Sequence, residues 1–163
     1  MTRLCRPRRD PLSALPSLRA LPRIVDVVPH RPPMLLLDEV VAWDGTRVEC
    51  RVLLRDDSPF VEAGRVASTL AIEYMAQCIA VFVGLEAYQR GEPVRLGYLV
   101  GAREILLPAD GFRVGDVLTV HAAPIWGGET IGSFQCEIDR VGDVVARGAL
   151  SVYRGELQEL ARS

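Results

Sequence analysis

The chain has only two histidines, His30 and His121, and they sit in different settings. His30 lies in Pro29-His30-Arg31-Pro32-Pro33, where prolines stiffen the backbone just ahead of an apolar run. His121 lies in Val120-His121-Ala122, inside a strand-like stretch, where a structural or surface role is expected. Glu73 and Gln77 stand one helical turn apart within a strongly apolar segment, so on a helix they share one face. A carboxylate at that depth is costly unless it is paired or neutral. Desolvation favours its protonated form, while a nearby helix N-terminus favours the anion, so the two influences oppose one another. A neutral imidazole can accept a proton and a protonated carboxyl can give one. His30 and Glu73 are therefore candidates for a general base and a general acid, with Gln77 orienting or polarising the site. Each also has a plainer role open to it. His30 can pin the incoming chain through backbone hydrogen bonds, and Glu73 can bond a neighbouring strand.

The elements that must carry these residues are mostly β. The ordered domain is expected to begin near Ile24, where a short apolar turn, Ile24 to Val28, runs into Pro29. Met34 to Trp43 reads as a strand ending at Asp44-Gly45, a strong hairpin pair. Thr46 to Leu54 returns with Val48, Cys50, Val52 and Leu54 on one face and Arg47, Glu49 and Arg51 on the other. Residues 56–64 form a loop whose Asp56, Asp57 and Glu62 read as solvated charges. Ser68 or Thr69 can cap a helix that runs to about Arg90, where Gly91 is placed to end it. Apolar residues surround nearly the whole circumference of that helix, so it must be buried. Four strands are expected after it: Val94 to Leu107, Val117 to Trp126, Thr130 to Asp139 and Val144 to Tyr153. Gly127-Gly128 and Val141-Gly142-Asp143 link the last three as hairpins, which excludes a parallel βαβ arrangement. One long apolar helix among antiparallel strands implies an α+β domain with a curved sheet wrapped around the helix.

At 163 residues, 49% of them apolar, the chain suits one domain with a substantial core. We expect an extension rich in arginine and proline over 1–22, the domain over 23–155 and a short tail over 156–163. A net charge of −2 gives no reason to expect a nucleic-acid partner. The apolar stretch Tyr74 to Leu85 is shorter than the ~20 residues a bilayer needs, and prolines interrupt the basic N-terminus before any signal-length apolar run, so no membrane or export role is expected. Cys5, Cys50, Cys78 and Cys136 lack any ligand spacing, so neither a disulfide framework nor a metal site is expected. Cys50, Cys78 and Cys136 read as small buried hydrophobes, and a reducing cytoplasm fits.

Several blocks then resemble one family. Residues 29–40, Pro29-His30-Arg31-Pro32-Pro33-Met34-Leu35-Leu36-Leu37-Asp38-Glu39-Val40, are similar to the opening motif of the bacterial 3-hydroxyacyl-ACP dehydratases of the hotdog fold. Glu73-Tyr74-Met75-Ala76-Gln77 resembles their helix motif, whose glutamate is catalytic, and Asp57-Ser58-Pro59-Phe60 resembles the loop before their active-site segment. Gly97-Tyr98-Leu99-Val100-Gly101-Ala102-Arg103 and Leu150-Ser151-Val152-Tyr153 look like the ApeP-like predicted dehydratases associated with aryl-polyene biosynthesis.

The resemblance implies a hotdog domain and removal of water from 3-hydroxyacyl chains held on an acyl carrier protein, giving the trans-2-enoyl product. It also implies a dimer, homo- or heteromeric, with acyl tunnels at the interface. Catalytic roles would fall to His30 and Glu73, and substrate contacts to Gln77, Phe60, Ser68 and Thr69. The substrate rides on the carrier's phosphopantetheine arm, and the protein itself is expected to need no cofactor and no metal. Backbone N–H groups at the start of the apolar helix are candidates to polarise the thioester oxygen. Arg95 and Arg103 could meet the carrier's acidic surface or its phosphate. Where the family's dehydratases carry a G-H-F-P-x-x-P segment with their histidine base, this chain has Val61-Glu62-Ala63-Gly64-Arg65-Val66-Ala67-Ser68. Three arrangements follow: His30 serves as the base, a partner dehydratase supplies the histidine, or the chain is a silent subunit. A thioesterase of the same fold is a further alternative.

Overall fold

The computed structural model describes residues 21–155. The tail expected over 156–163 and all but the last two residues of the extension over 1–22 lie outside the described residues. A short helix α1 (Ile24–Val27) leads through the His30 turn to β1 (Glu39–Trp43) and β2 (Val48–Leu53). A two-residue β3 (Arg65–Val66) precedes the long helix α2 (Leu70–Arg90). After it come β4 (Tyr98–Leu106), the two-residue β5 (Phe112–Arg113), and β6 (Val117–Gly127), β7 (Ile131–Arg140) and β8 (Asp143–Tyr153). Six strands form one antiparallel sheet in the order β1-β2-β6-β7-β8-β4, and β3 pairs with β5 as a separate ribbon. This is the hotdog arrangement: a curved sheet around one helix.

The alternation in β2 sets the inner face. Val48 and Cys50 are fully buried and Val52 and Leu54 nearly so, opposite Leu118, Val120 and Ala122 of β6. Cys136 and Ile138 of β7 continue that floor, and Cys78 of α2 lies on it, its thiol donating to the Val120 carbonyl at 3.4 Å. Cys50, Cys78 and Cys136 are thus the free, buried thiols expected. Burial pushes the Cys136 thiol up to about 12 and Cys78 well above the usual value.

The turns follow their residues. Asp44 accepts the N–H groups of Thr46 and Arg47 at 2.8 and 2.9 Å, and Gly45 adopts the positive φ the hairpin needs. Gly91 ends α2 in the left-handed conformation, its N–H reaching the Ala87 and Tyr88 carbonyls. Pro124 is tolerated inside β6 because β2 begins at Val48, opposite Ala122, so beyond that point β6 has no neighbour on that side.

Four expectations need correction. The run from Met34 to Asp38 is not in the ladder, and β1 begins only at Glu39. β4 likewise begins at Tyr98 rather than Val94. Neither Ser68 nor Thr69 caps α2 through its side chain; the carbonyls of Ala67, Ser68 and Thr69 accept the N–H groups of Leu70, Ala71 and Ile72 instead, a tight first turn. And α2, at 21 residues, is long and apolar enough by length and composition to cross a membrane. Its burial identifies it as the domain's core helix, with 61% of the apolar window enclosed by the sheet and its connections.

Candidate active site

One side of α2 is left uncovered. Tyr74, Met75, Cys78, Ile79, Phe82 and Leu85 are packed inside, whereas Glu73, Ala76, Ala80 and Val83 are only half-buried and follow one another at helical spacing. This stripe lines a groove of about 600 Å³. His30, Val94, Leu99 and Val152 face the same space. The groove combines this apolar stripe with charged groups: Glu73 lies near one end, His30 is on its wall, and Glu86, Arg90, Glu92, Arg95, Glu129 and Arg154 also line it.

Glu73 is held by its neighbour. Gln77 is fully buried, and its Nε2 donates to Glu73 Oε1 and to the Met34 carbonyl, both at 2.8 Å, while its Oε1 accepts the Leu36 N–H at 2.9 Å. Both amide protons and one oxygen lone pair are used by the protein, leaving one lone pair spare. Gln77 therefore orients the acid and ties α2 to the non-strand segment after the His30 turn.

His30 is positioned by backbone geometry. Gly84 of α2 has no side chain, and a Cβ there would fall on the Val27 carbonyl, so α1 can lie directly against the helix. The Arg31 guanidinium then donates to the Val28 and His30 carbonyls at 2.8 and 2.7 Å, fixing the turn. His30 Nδ1 is buried without a hydrogen-bond partner. His30 and Glu73 share the groove, but no hydrogen bond joins them.

The other expected residues lie elsewhere. Phe60 is half-exposed on its loop at φ 67°, and neither it nor Ser68 nor Thr69 lines the groove. The N–H groups of Leu70, Ala71 and Ile72 at the start of α2 already have carbonyl partners, so they are not free to polarise a thioester oxygen. Arg95 lines the groove and Arg103 does not. His121 is structural, as expected: buried in the sheet, its Nε2 lies 2.7 Å from Asp139 and its Nδ1 2.6 Å from the Arg47 guanidinium. Arginine only donates, so Nδ1 accepts and the ring proton sits on Nε2, facing Asp139. Asp38, inside the opening motif, also has a structural task, accepting the Leu53 N–H at 2.6 Å and pairing Arg55 at 2.8 Å. Two features escape sequence reading: Gly84, which looks like any mid-helix glycine, and Arg154, which lines the groove from just beyond β8.

Comparison with known structures first defines the class. The chain superposes on the thioesterase HI1161 from Haemophilus influenzae with a TM-score of 0.56 at 16% identity, covering 73% of this chain and 78% of that one. It matches the Escherichia coli PaaI protein equally, at 14% identity over 71% and 81% of the two chains. Likeness at that level establishes the hotdog fold alone. The dehydratase heterocomplex ApeI:P from Xenorhabdus doucetiae is more similar, with a TM-score of 0.82 and 33% identity over 87% of this chain and 97% of that one. The 3-hydroxyacyl-[acyl-carrier-protein] dehydratase FabZ of Chlamydia pneumoniae is 29% identical over 117 residues, 66% of this chain and 73% of the relative. The ApeP dehydratase family model matches residues 22–162, and the chain belongs to that ApeP-like family.

Proposed function

We propose that the chain removes water from 3-hydroxyacyl groups carried on an acyl carrier protein, giving trans-2-enoyl-ACP, with His30 as base and Glu73 as acid. The observation that carries this reading is that both residues line one groove of about 600 Å³, along which the apolar stripe of α2 runs. In the reaction the Cα–H proton passes to His30 as its electron pair forms the Cα=Cβ bond. The Cβ–O bond breaks as Glu73 protonates the departing hydroxyl, and water leaves. The thioester already acidifies the α-carbon, so no cofactor enters the scheme. Gln77 keeps Glu73 Oε1 occupied and so presents the other carboxyl oxygen. The relative named as a 3-hydroxyacyl-ACP dehydratase supports the substrate class, and family membership makes aryl-polyene-type chains substrates to test. The free thiols of Cys50, Cys78 and Cys136 among the described residues suit the reducing cytoplasm.

A second reading has its own support. No hydrogen bond joins His30 to Glu73, and one similar structure is a heterocomplex. In that reading this chain supplies Glu73 and a related dehydratase supplies the base. The exposed Leu99, Val100 and Leu106 on edge strand β4, beside the uncovered stripe of α2, suit either a homodimer or a heterodimer. Intact-mass spectrometry of 3-hydroxyacyl-ACP incubated with the chain alone separates the possibilities. Loss of one water supports a self-sufficient dehydratase, and loss of the acyl group indicates a thioesterase. An unchanged mass with folded protein sinks the self-sufficient reading, and recovery on adding the partner supports the shared site.

A further inference from the structure

Opposite the Glu73 end, the groove runs past the C-terminus of α2 to a guanidinium without a counterion among the described residues. Arg154 follows β8, its backbone N–H bonded to the Thr130 carbonyl at 2.6 Å. Its side chain is half-buried and lines the groove. Of its five N–H donors, one is used, to the Gly128 carbonyl at 2.8 Å, and Nε is buried with no partner. No carboxylate among the described residues lies within ion-pair distance of it. Glu86 and Glu129 line the same groove without pairing it, and Glu92 is already engaged by Arg90 at 3.0 Å. The guanidinium is seated on glycine: positions from which a Cβ at Gly127 or Gly132 would project lie 3.8 and 3.6 Å from its terminal nitrogen. Its buried Nε has no acceptor, and among the described residues the half-buried guanidinium meets one neutral acceptor, the Gly128 carbonyl. Planar, directional donors of this kind match an oxyanion.

We propose that Arg154 is an anion-binding subsite of the groove, taking a phosphate ester or a carboxylate of the ligand at the end remote from Glu73. Arg95, exposed, also lines the groove, as do Glu86 and Glu129, which are unpaired among the described residues. The anion has two possible sources: the phosphate of the pantetheine arm, or an acidic group at the far end of the acyl chain. The proposal rests on the groove being the acyl site, but its test needs no turnover. Calorimetry measures binding of hexanoyl-pantetheine, hexanoyl-pantetheine 4′-phosphate, and adipoyl-pantetheine, which bears a terminal carboxylate, to the full chain and to Arg154→Gln. A charge-assisted pair predicts that one added anionic group tightens binding ~10-fold or more, that Arg154→Gln abolishes this gain, and that Arg154→Lys keeps part of it. A gain from the phosphate identifies the carrier arm; a gain from the carboxylate identifies the chain end. If neither group tightens binding, or Arg154→Gln keeps the full gain while circular dichroism shows it folded, the proposal is overturned. Failure of the hexanoyl-pantetheine itself to bind, with inorganic phosphate still captured at Arg154, would instead count against the acyl groove and leave the anion site standing.

Discussion

Gln77 donates to Glu73 Oε1 at 2.8 Å from a side chain that solvent does not reach, and the same nitrogen holds the Met34 carbonyl. The candidate acid is therefore coupled to the segment between the His30 turn and β1 by one amide. Packing alone would leave the carboxyl free to rotate toward the groove; this bond fixes one oxygen and frees the other.

Replacing that amide should cost stability and disturb the acid together. Gln77→Ala leaves the Leu36 N–H and the Met34 carbonyl unpartnered and opens a small cavity, a loss of about 2–4 kcal/mol. Gln77→Glu keeps the volume but, when ionised, puts a second carboxylate against Glu73. Its folded form favours the protonated acid, so its stability deficit relative to wild type should shrink as pH falls. Urea melts at pH 7.5 and 5 check this; a deficit independent of pH would show that the acid at position 77 is solvated.

Glu73→Gln is the cleaner probe of chemistry. The amide oxygen can still accept from Gln77, so the melting temperature should stay within a few degrees. Loss of a general acid should lower the dehydration rate ~10²–10⁴-fold, measured with the chain alone or with its partner, whichever proves active. Full activity in a folded Glu73→Gln protein would remove Glu73 from the mechanism.

Much of this arrangement is legible in the sequence, and the gaps have physical causes. Alternation over Val48 to Leu54 needs only a sheet with one wet face, and the hairpins at Asp44-Gly45 and Val141-Gly142 depend on local backbone preference. The apolar circumference of α2 forecasts burial, but which stripe stays uncovered depends on how far the sheet curls. The apolar run from Met34 has the composition of a strand, but its Met34 carbonyl and Leu36 N–H bond the Gln77 side chain, some forty residues away, instead of a neighbouring strand. The ribbon of β3 and β5 is too short for periodicity, and the Tyr74–Phe112 ring contact, centroids 6.0 Å apart, anchors it under α2. Arg154 is invisible for another reason. Its interest is a guanidinium with no counterion among the described residues, and only a folded chain reveals that.

Gly84 offers a test of how His30 is positioned. A methyl group added there would meet the Val27 carbonyl, so Gly84→Ala must push α1 off α2. The helix itself gains slightly from alanine, which isolates the clash as the cause of any loss. The expected net destabilisation is about 1–3 kcal/mol, with activity falling further than the folded fraction because the His30 turn moves. Thermal melts and turnover on the same samples decide it. Unchanged activity in a destabilised variant would mean that α1 does not set the position of His30.

The buried thiols predict weakness toward alkali. In the unfolded chain a thiol ionises near pH 8.5, but in the folded protein Cys136 holds its proton up to about 12, and Cys78 also resists ionisation because burial disfavours the thiolate. Between those limits the unfolded state binds fewer protons, so stability falls as pH rises. Each such thiol contributes a slope of about 1.4 kcal/mol per pH unit. The Tyr74 phenol, also raised by burial, adds to the loss above pH 10 or so. Denaturant melts of the reduced protein from pH 8 to 11 should show this decline, and Cys136→Ala should make it shallower by one thiol's share even if it lowers stability at pH 7. Parallel curves for the two proteins would mean that Cys136 ionises as easily in the folded domain as in the open chain.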